Sequence, residues 1–133
     1  MEIKYKEEKE FTEQQLKALF LSVHWESAKY ADKLVKAMKN SSVVISAWYD
    51  DRLIGLIRSL DDGITTAFVH YLLVDPEFQK YHIGGTLMQK LLAHYDDYLY
   101  IKIMPSDPTV KPFYEKYGFV EYDNYSAMEI KRL

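Results

Sequence analysis

Cysteine is absent from this chain of 133 residues. A disulfide framework, a thiolate-zinc site and a cysteine nucleophile are thereby excluded, and no metal site is expected. Also missing is any apolar run long enough to span a bilayer. The start, Met1-Glu2-Ile3-Lys4-Tyr5-Lys6-Glu7-Glu8, alternates charged and apolar groups and holds no leader-like hydrophobic region. A cytoplasmic location without a membrane partner is the expectation. Excess positive charge is lacking too. The formal net charge is -3, so no global basic field recruits nucleic acid or an acidic membrane. What remains is an ordinary globular composition, 48% hydrophobic and 28% charged, with a length that suits one domain over 1–133 around one core.

The apolar periodicity changes along the chain. Ile3 and Tyr5 alternate with charged residues as in a half-buried strand. Thr12-Glu13-Gln14-Gln15 has the capping-box form and precedes Leu16, Leu19 and Phe20 at helical spacing. A second helical pattern covers Ser27 to Met38, with Trp25 in the joint before it. Three β-rich stretches follow, Val43–Tyr49, Arg52–Leu60 and Thr65–Val74, separated by the turns Asp50-Asp51 and Asp61-Asp62-Gly63. Then come a helix over about Gly84 to Ala93, a strand over Tyr98–Met104, a short helix around Pro112–Tyr117 stopped by Gly118, and a last strand within Phe119–Lys131. The order β-α-α-β-β-β-α-β-α-β predicts a mixed α/β (α+β) fold with helices on both faces of the sheet.

The most informative stretch runs from Val74 to Met88. A strand ends, a polar turn and a loop with Gly84 and Gly85 follow, and a helix begins. Such a junction offers unpaired backbone N–H groups at the positive end of a helix dipole, which is an anion site suited to phosphate or pyrophosphate. A magnesium-nucleotide loop is disfavoured because no Lys-Ser/Thr follows the glycines. A dinucleotide site fails on the glycine spacing and on the meander before it.

Two motifs, in this order, resemble the GNAT superfamily, the Gcn5-related N-acetyltransferases. Gln79-Lys80-Tyr81-His82-Ile83-Gly84 matches the family's Gln/Arg-x-x-Gly-x-Gly/Ala loop, and Pro112-Phe113-Tyr114-Glu115-Lys116-Tyr117-Gly118-Phe119 matches its Phe-Tyr-Glu-Lys-x-Gly-Phe segment. The resemblance implies acetyl-CoA as acyl donor and an amine as acceptor. It implies that the pyrophosphate is held by loop amides of Gln79, Lys80, Tyr81, His82, Ile83, Gly84, Gly85 and Thr86. The pantetheine would pair, like an added strand, with Leu72, Leu73 and Val74. Tyr114 takes the family's position for the acid that protonates the departing thiolate, and a phenol can donate at neutral pH. Its other role would be simple packing beneath the sheet.

Departures from the family pattern define the open questions. His82 replaces the first loop glycine; either its imidazole contacts a CoA phosphate, or the side chain points outward and only the N–H serves. Asp107 stands where the family often has a cofactor-contacting asparagine, and it also suits a helix cap. The strand Phe68-Val69-His70-Tyr71 lacks the carboxylate that serves many members as base. His70 is the titratable candidate there, with ordered water as the alternative, and strict alternation puts Tyr71 on the opposite face. The acceptor site is expected among Trp25, Tyr30 and Tyr71, with Trp48, Arg58, Asp61 and Asp62 also available. His24 and His94 read as surface residues without partners. A homodimer is possible, with the C-terminal β-rich segment contributing. The competing reading is a CoA-binding or interaction module of the same fold that has lost catalysis.

Overall fold

The computed structural model describes residues 2–133. Five strands form one sheet in the order β1-β2-β3-β4-β5: β1 Lys4–Lys6, β2 Val43–Tyr49, β3 Arg52–Asp61, β4 Thr66–Val74 and β5 Tyr100–Ile103. The first four are antiparallel neighbours; β4 and β5 run parallel. Helices α1 (Glu13–Ser22) and α2 (Ala31–Lys39) cover one face, and α3 (Ile83–Leu92) covers the other.

Local chemistry explains the helix ends. Thr12 Oγ1 accepts from the Gln15 N–H while Gln15 Oε1 accepts from the Thr12 N–H, so the capping box forms as expected. Leu16, Leu19 and Phe20 then point inward with Leu34 and Met38 of α2. On the opposite face Leu87, Met88 and Leu91 of α3 pack on Ile45, Ile54, Ile57 and Val69. The short helix α4 (Lys111–Lys116) follows a 3-10 turn over Pro108–Val110, so Pro112 falls in its first turn, where a missing N–H costs little. Gly118, at φ 97°, ends it: its N–H bonds the Glu115 carbonyl and the Phe119 N–H bonds that of Tyr114.

Two differences from the sequence reading matter. The last strand expected within Phe119–Lys131 does not form; the segment lacks regular structure and β5 is the sheet edge. Its residues alternate as a strand would, but alternation without a paired neighbour leaves the ladder bonds unmade. The second is a β-bulge. Ile57 pairs with Leu72 and Arg58 with His70, so Tyr71 is an extra residue on β4, at φ 61°. The bulge cancels the expected alternation and brings the His70 and Tyr71 rings together, with centroids 3.9 Å apart.

Candidate active site

The β4–β5 ladder pairs Thr66 with Tyr100 through Val69 with Ile103, and then stops. Past that point the strands part, and among the described residues no strand pairs with His70 to Val74 on that side. A cavity of about 580 Å³ opens there, lined by Trp25, His70, Tyr71, Leu72, Met104 and Tyr114 among others. The bulge, the gap and the Tyr114 phenol therefore meet at one place.

The loop expected to bind phosphate lies just beyond β4. Asp75 accepts from the Glu77 N–H and caps a 3-10 turn over Pro76–Tyr81. Arg52 of β3 bonds Asp75 at 2.7 Å and Glu77 at 3.1 Å, fastening the turn to the sheet. Gln79 donates its side-chain amide to the Val74 carbonyl, so its side chain braces the loop. His82 then adopts the left-handed conformation, φ 58° and ψ 27°, and α3 starts at Ile83. Its side chain is exposed and makes no hydrogen bond among the described residues. Histidine thus supplies the backbone turn for which glycine is the default. A Cβ at Gly85 would run into the Tyr117 hydroxyl, so that glycine lets α3 lie close to α4.

Tyr114 is half-buried between Phe113 and Phe119 in edge-to-face contacts. Its hydroxyl has no hydrogen-bond partner among the described residues and is not a buried orphan, and Tyr114 lines the cavity. Burial, with Asp107 nearby, raises its pKa above the ordinary phenol value and keeps it protonated. Asp107 itself is a cap, accepting from the Thr109 N–H at 2.8 Å.

His70 is the best-held side chain of the cavity. Arg58 Nη2 donates to its Nδ1 at 2.7 Å, and the guanidinium carbon lies 4.7 Å from the Tyr71 ring centre. Arg58 is only 8% exposed and its Nη1 donates to Ser41. Burial, and then the Arg58 charge, lower the His70 pKa to about 4. The imidazole is neutral at pH 7, and its Nδ1 lone pair is already taken. That geometry is at odds with the expected role as base.

The other expected residues divide. Trp25 and Tyr71 stand 6.1 Å apart at the cavity, whereas Tyr30 lies outside it beside Lys33. Trp48 is core, stacked on Phe11 and bonded to Ser46. Asp61 accepts from Tyr95 and Tyr98, and Asp62 from the turn amides of Ile64, Thr65 and Thr66, so neither reaches the site. His94 does have a partner, Glu7 at 2.7 Å, and His24 lines the cavity. Arg58's grip on His70 was not legible in the sequence, because a bulge sets that cross-strand pair.

The model of the Acetyltransferase (GNAT) domain matches residues 7–129. The chain belongs to the GNAT acetyltransferase family. A GNAT-family acetyltransferase of Streptococcus pneumoniae TIGR4 superposes with a TM-score of 0.83 at 26% identity, covering 99% of this chain and 100% of that one. The uncharacterized N-acetyltransferase ycf52 of Porphyra purpurea is 31% identical over 113 residues, 80% of this chain and 64% of its own length. A ycf52-like relative in Prochlorococcus marinus is 29% identical over 110 residues, 79% of this chain and 61% of its own. The chain thus spans less than two thirds of these curated relatives. Family membership implies acyl transfer.

Proposed function

We propose that this GNAT domain is an acetyl-CoA-dependent N-acetyltransferase that moves the acetyl group directly to a primary amine of a small molecule or protein. The observation that carries the proposal is the gap after Val69 and Ile103, with Tyr114 on its wall and the αL-started helix beyond its end. Acetyl-CoA would enter as a substrate. Its amide-bearing arm fits the strand edge at Leu72–Val74, where Gln79 bonds the Val74 carbonyl, and its pyrophosphate fits the N–H groups at the start of α3.

Each residue then has a chemical task. The acceptor amine, neutral when it attacks, enters the cavity beside Trp25 and Tyr71 and loses its proton to water there. The amine nitrogen bonds to the acyl carbon, and the carbon–sulfur bond breaks. The sulfur takes the Tyr114 proton, and the phenolate regains one from solvent. No covalent acyl-enzyme is needed, and no cysteine is present to form one.

A homodimer completes the proposal. Val120, Tyr122, Tyr125 and Met128 are 63–90% exposed beside β5. A run of exposed apolar side chains of this kind marks a contact surface rather than an ordinary solvated segment. A second copy of the chain would cover them.

Thiol release from acetyl-CoA, followed across a panel of amines, tests the activity. Release above background hydrolysis with at least one amine is expected. Saturable acetyl-CoA binding with background release throughout would instead identify a CoA-binding module.

A further inference from the structure

We propose that Arg58 locks His70 as a neutral imidazole with its proton on Nε2, and that this N–H donates a hydrogen bond to the acyl carbonyl oxygen of the donor. An arginine never accepts a hydrogen bond, so the 2.7 Å contact between Arg58 Nη2 and His70 Nδ1 admits one polarity. Nδ1 is the acceptor, and a neutral ring must then carry its hydrogen on Nε2. Arg58 is itself immobilised by Ser41, whose hydroxyl donates to the Ala37 carbonyl, and by the Tyr71 ring. Phe68 stacks on the imidazole, with centroids 5.8 Å apart. The ring therefore has one orientation and one tautomer.

His70 lines the cavity, and its Nε2 has no partner within the described residues and is not a buried orphan. It stands on the last β4 residue before the bulge, where β5 has already turned away. This inference rests on the proposed acetyl-CoA reading, because the carbonyl it addresses belongs to that substrate. As the amine attacks, the carbonyl electron pair moves onto oxygen, and Nε2–H is placed to stabilise that charge without giving up its proton. The pair returns as sulfur leaves. A neutral imidazole suits this task, since its N–H is too weak an acid to be lost to the oxygen. His70 is the catalytic residue and Arg58 a positioning residue.

Other groups around the ring do not reverse this. Arg58 faces it from β3, Tyr71 from β4 and Tyr114 from α4; His24 and Glu26 approach from the α1–α2 joint, and Glu129, Lys131 and Arg132 from the C-terminal segment. The last three and Glu26 are exposed, so their charges are screened by water, whereas Arg58 is buried against the ring.

Nitrogen-15 NMR of labelled histidine reads the tautomer in the whole chain, without turnover. His70 should show Nε2–H and no titration from pH 5.5 to 8, while Arg58→Gln should mix the tautomers or bring titration into that range. Acetyl-CoA should shift the Nε2–H resonance, and CoA, which lacks the carbonyl, should not. In turnover, His70→Ala should lower kcat about 10²-fold with little change in KM for acetyl-CoA. His70→Gln, which keeps an N–H donor and cannot act as a base, should stay within about fivefold of wild type. A His70 proton on Nδ1, equal shifts with acetyl-CoA and CoA, or Gln and Ala variants that are equally slow would each overturn the proposal. A chain that shifts Nε2 with acetyl-CoA yet acetylates no amine would sink the proposed activity and leave the hydrogen bond standing.

Discussion

In the proposed reaction two side chains would carry different kinds of chemistry, and burial shifts both of them. Tyr114 is protonated at neutral pH as any ordinary phenol is, burial raises its pKa further, and its hydroxyl has no hydrogen-bond partner among the described residues. Tyr114→Phe removes only that oxygen; kcat should fall about 10²-fold while the Kd for acetyl-CoA, measured by calorimetry, stays within about twofold. His70 links the site to stability. Its folded pKa is depressed from 6.5 to about 4, so between those values the unfolded chain binds the extra proton. Stability from this residue is full above pH 6.5 and is lost as the pH falls toward 4, by an amount on the order of 2–3 kcal/mol. Urea unfolding at pH 4.5 and 7 should show a smaller pH difference for His70→Gln than for wild type. Equal differences would mean that the ring is not held neutral.

At the scale of elements, legibility followed how local the cause was. The capping box at Thr12, the strand Val43–Tyr49 and the stop at Gly118 depend on neighbouring residues, and each forms where the sequence placed it. The bulge does not work that way. Tyr71 takes a positive φ through its place between β3 and the departing β5, so no pattern within β4 announces it. The consequence is large, because the bulge puts His70 beside Tyr71. The final strand was misread for the complementary reason, since its alternation is present and its partner strand is not. The loop before α3 lies between these cases. Its motif was readable, but that His82 itself takes φ 58° was not. If the backbone does the binding, His82→Gly should leave CoA affinity within about twofold from pH 6 to 8, whereas His82→Val should destabilise the fold by about 1–2 kcal/mol. A CoA affinity that loses its pH dependence in the glycine variant would assign the contact to the imidazole instead.

For the whole molecule, the sheet divides the labour. One face packs α1 and α2, with Trp25 lining the cavity; the other packs α3, whose start would face the pyrophosphate in the proposed reading. The gap between β4 and β5 connects them. Beyond β5, the exposed apolar segment predicts self-association: sedimentation should show a dimer, and Tyr125→Glu with Met128→Glu should shift it to monomer. A wild-type monomer at all concentrations would contradict that interface and leave the site untouched. The central claim is that the gap is the seat of acetyl-CoA, and a crystal structure with that molecule tests it most directly. The account predicts pyrophosphate oxygens within hydrogen-bond distance of amides between Lys80 and Thr86, pantetheine along Leu72–Val74, and the Tyr114 hydroxyl beside the sulfur. Acetyl-CoA bound elsewhere, or in the gap with Tyr114 remote from the sulfur, would contradict it.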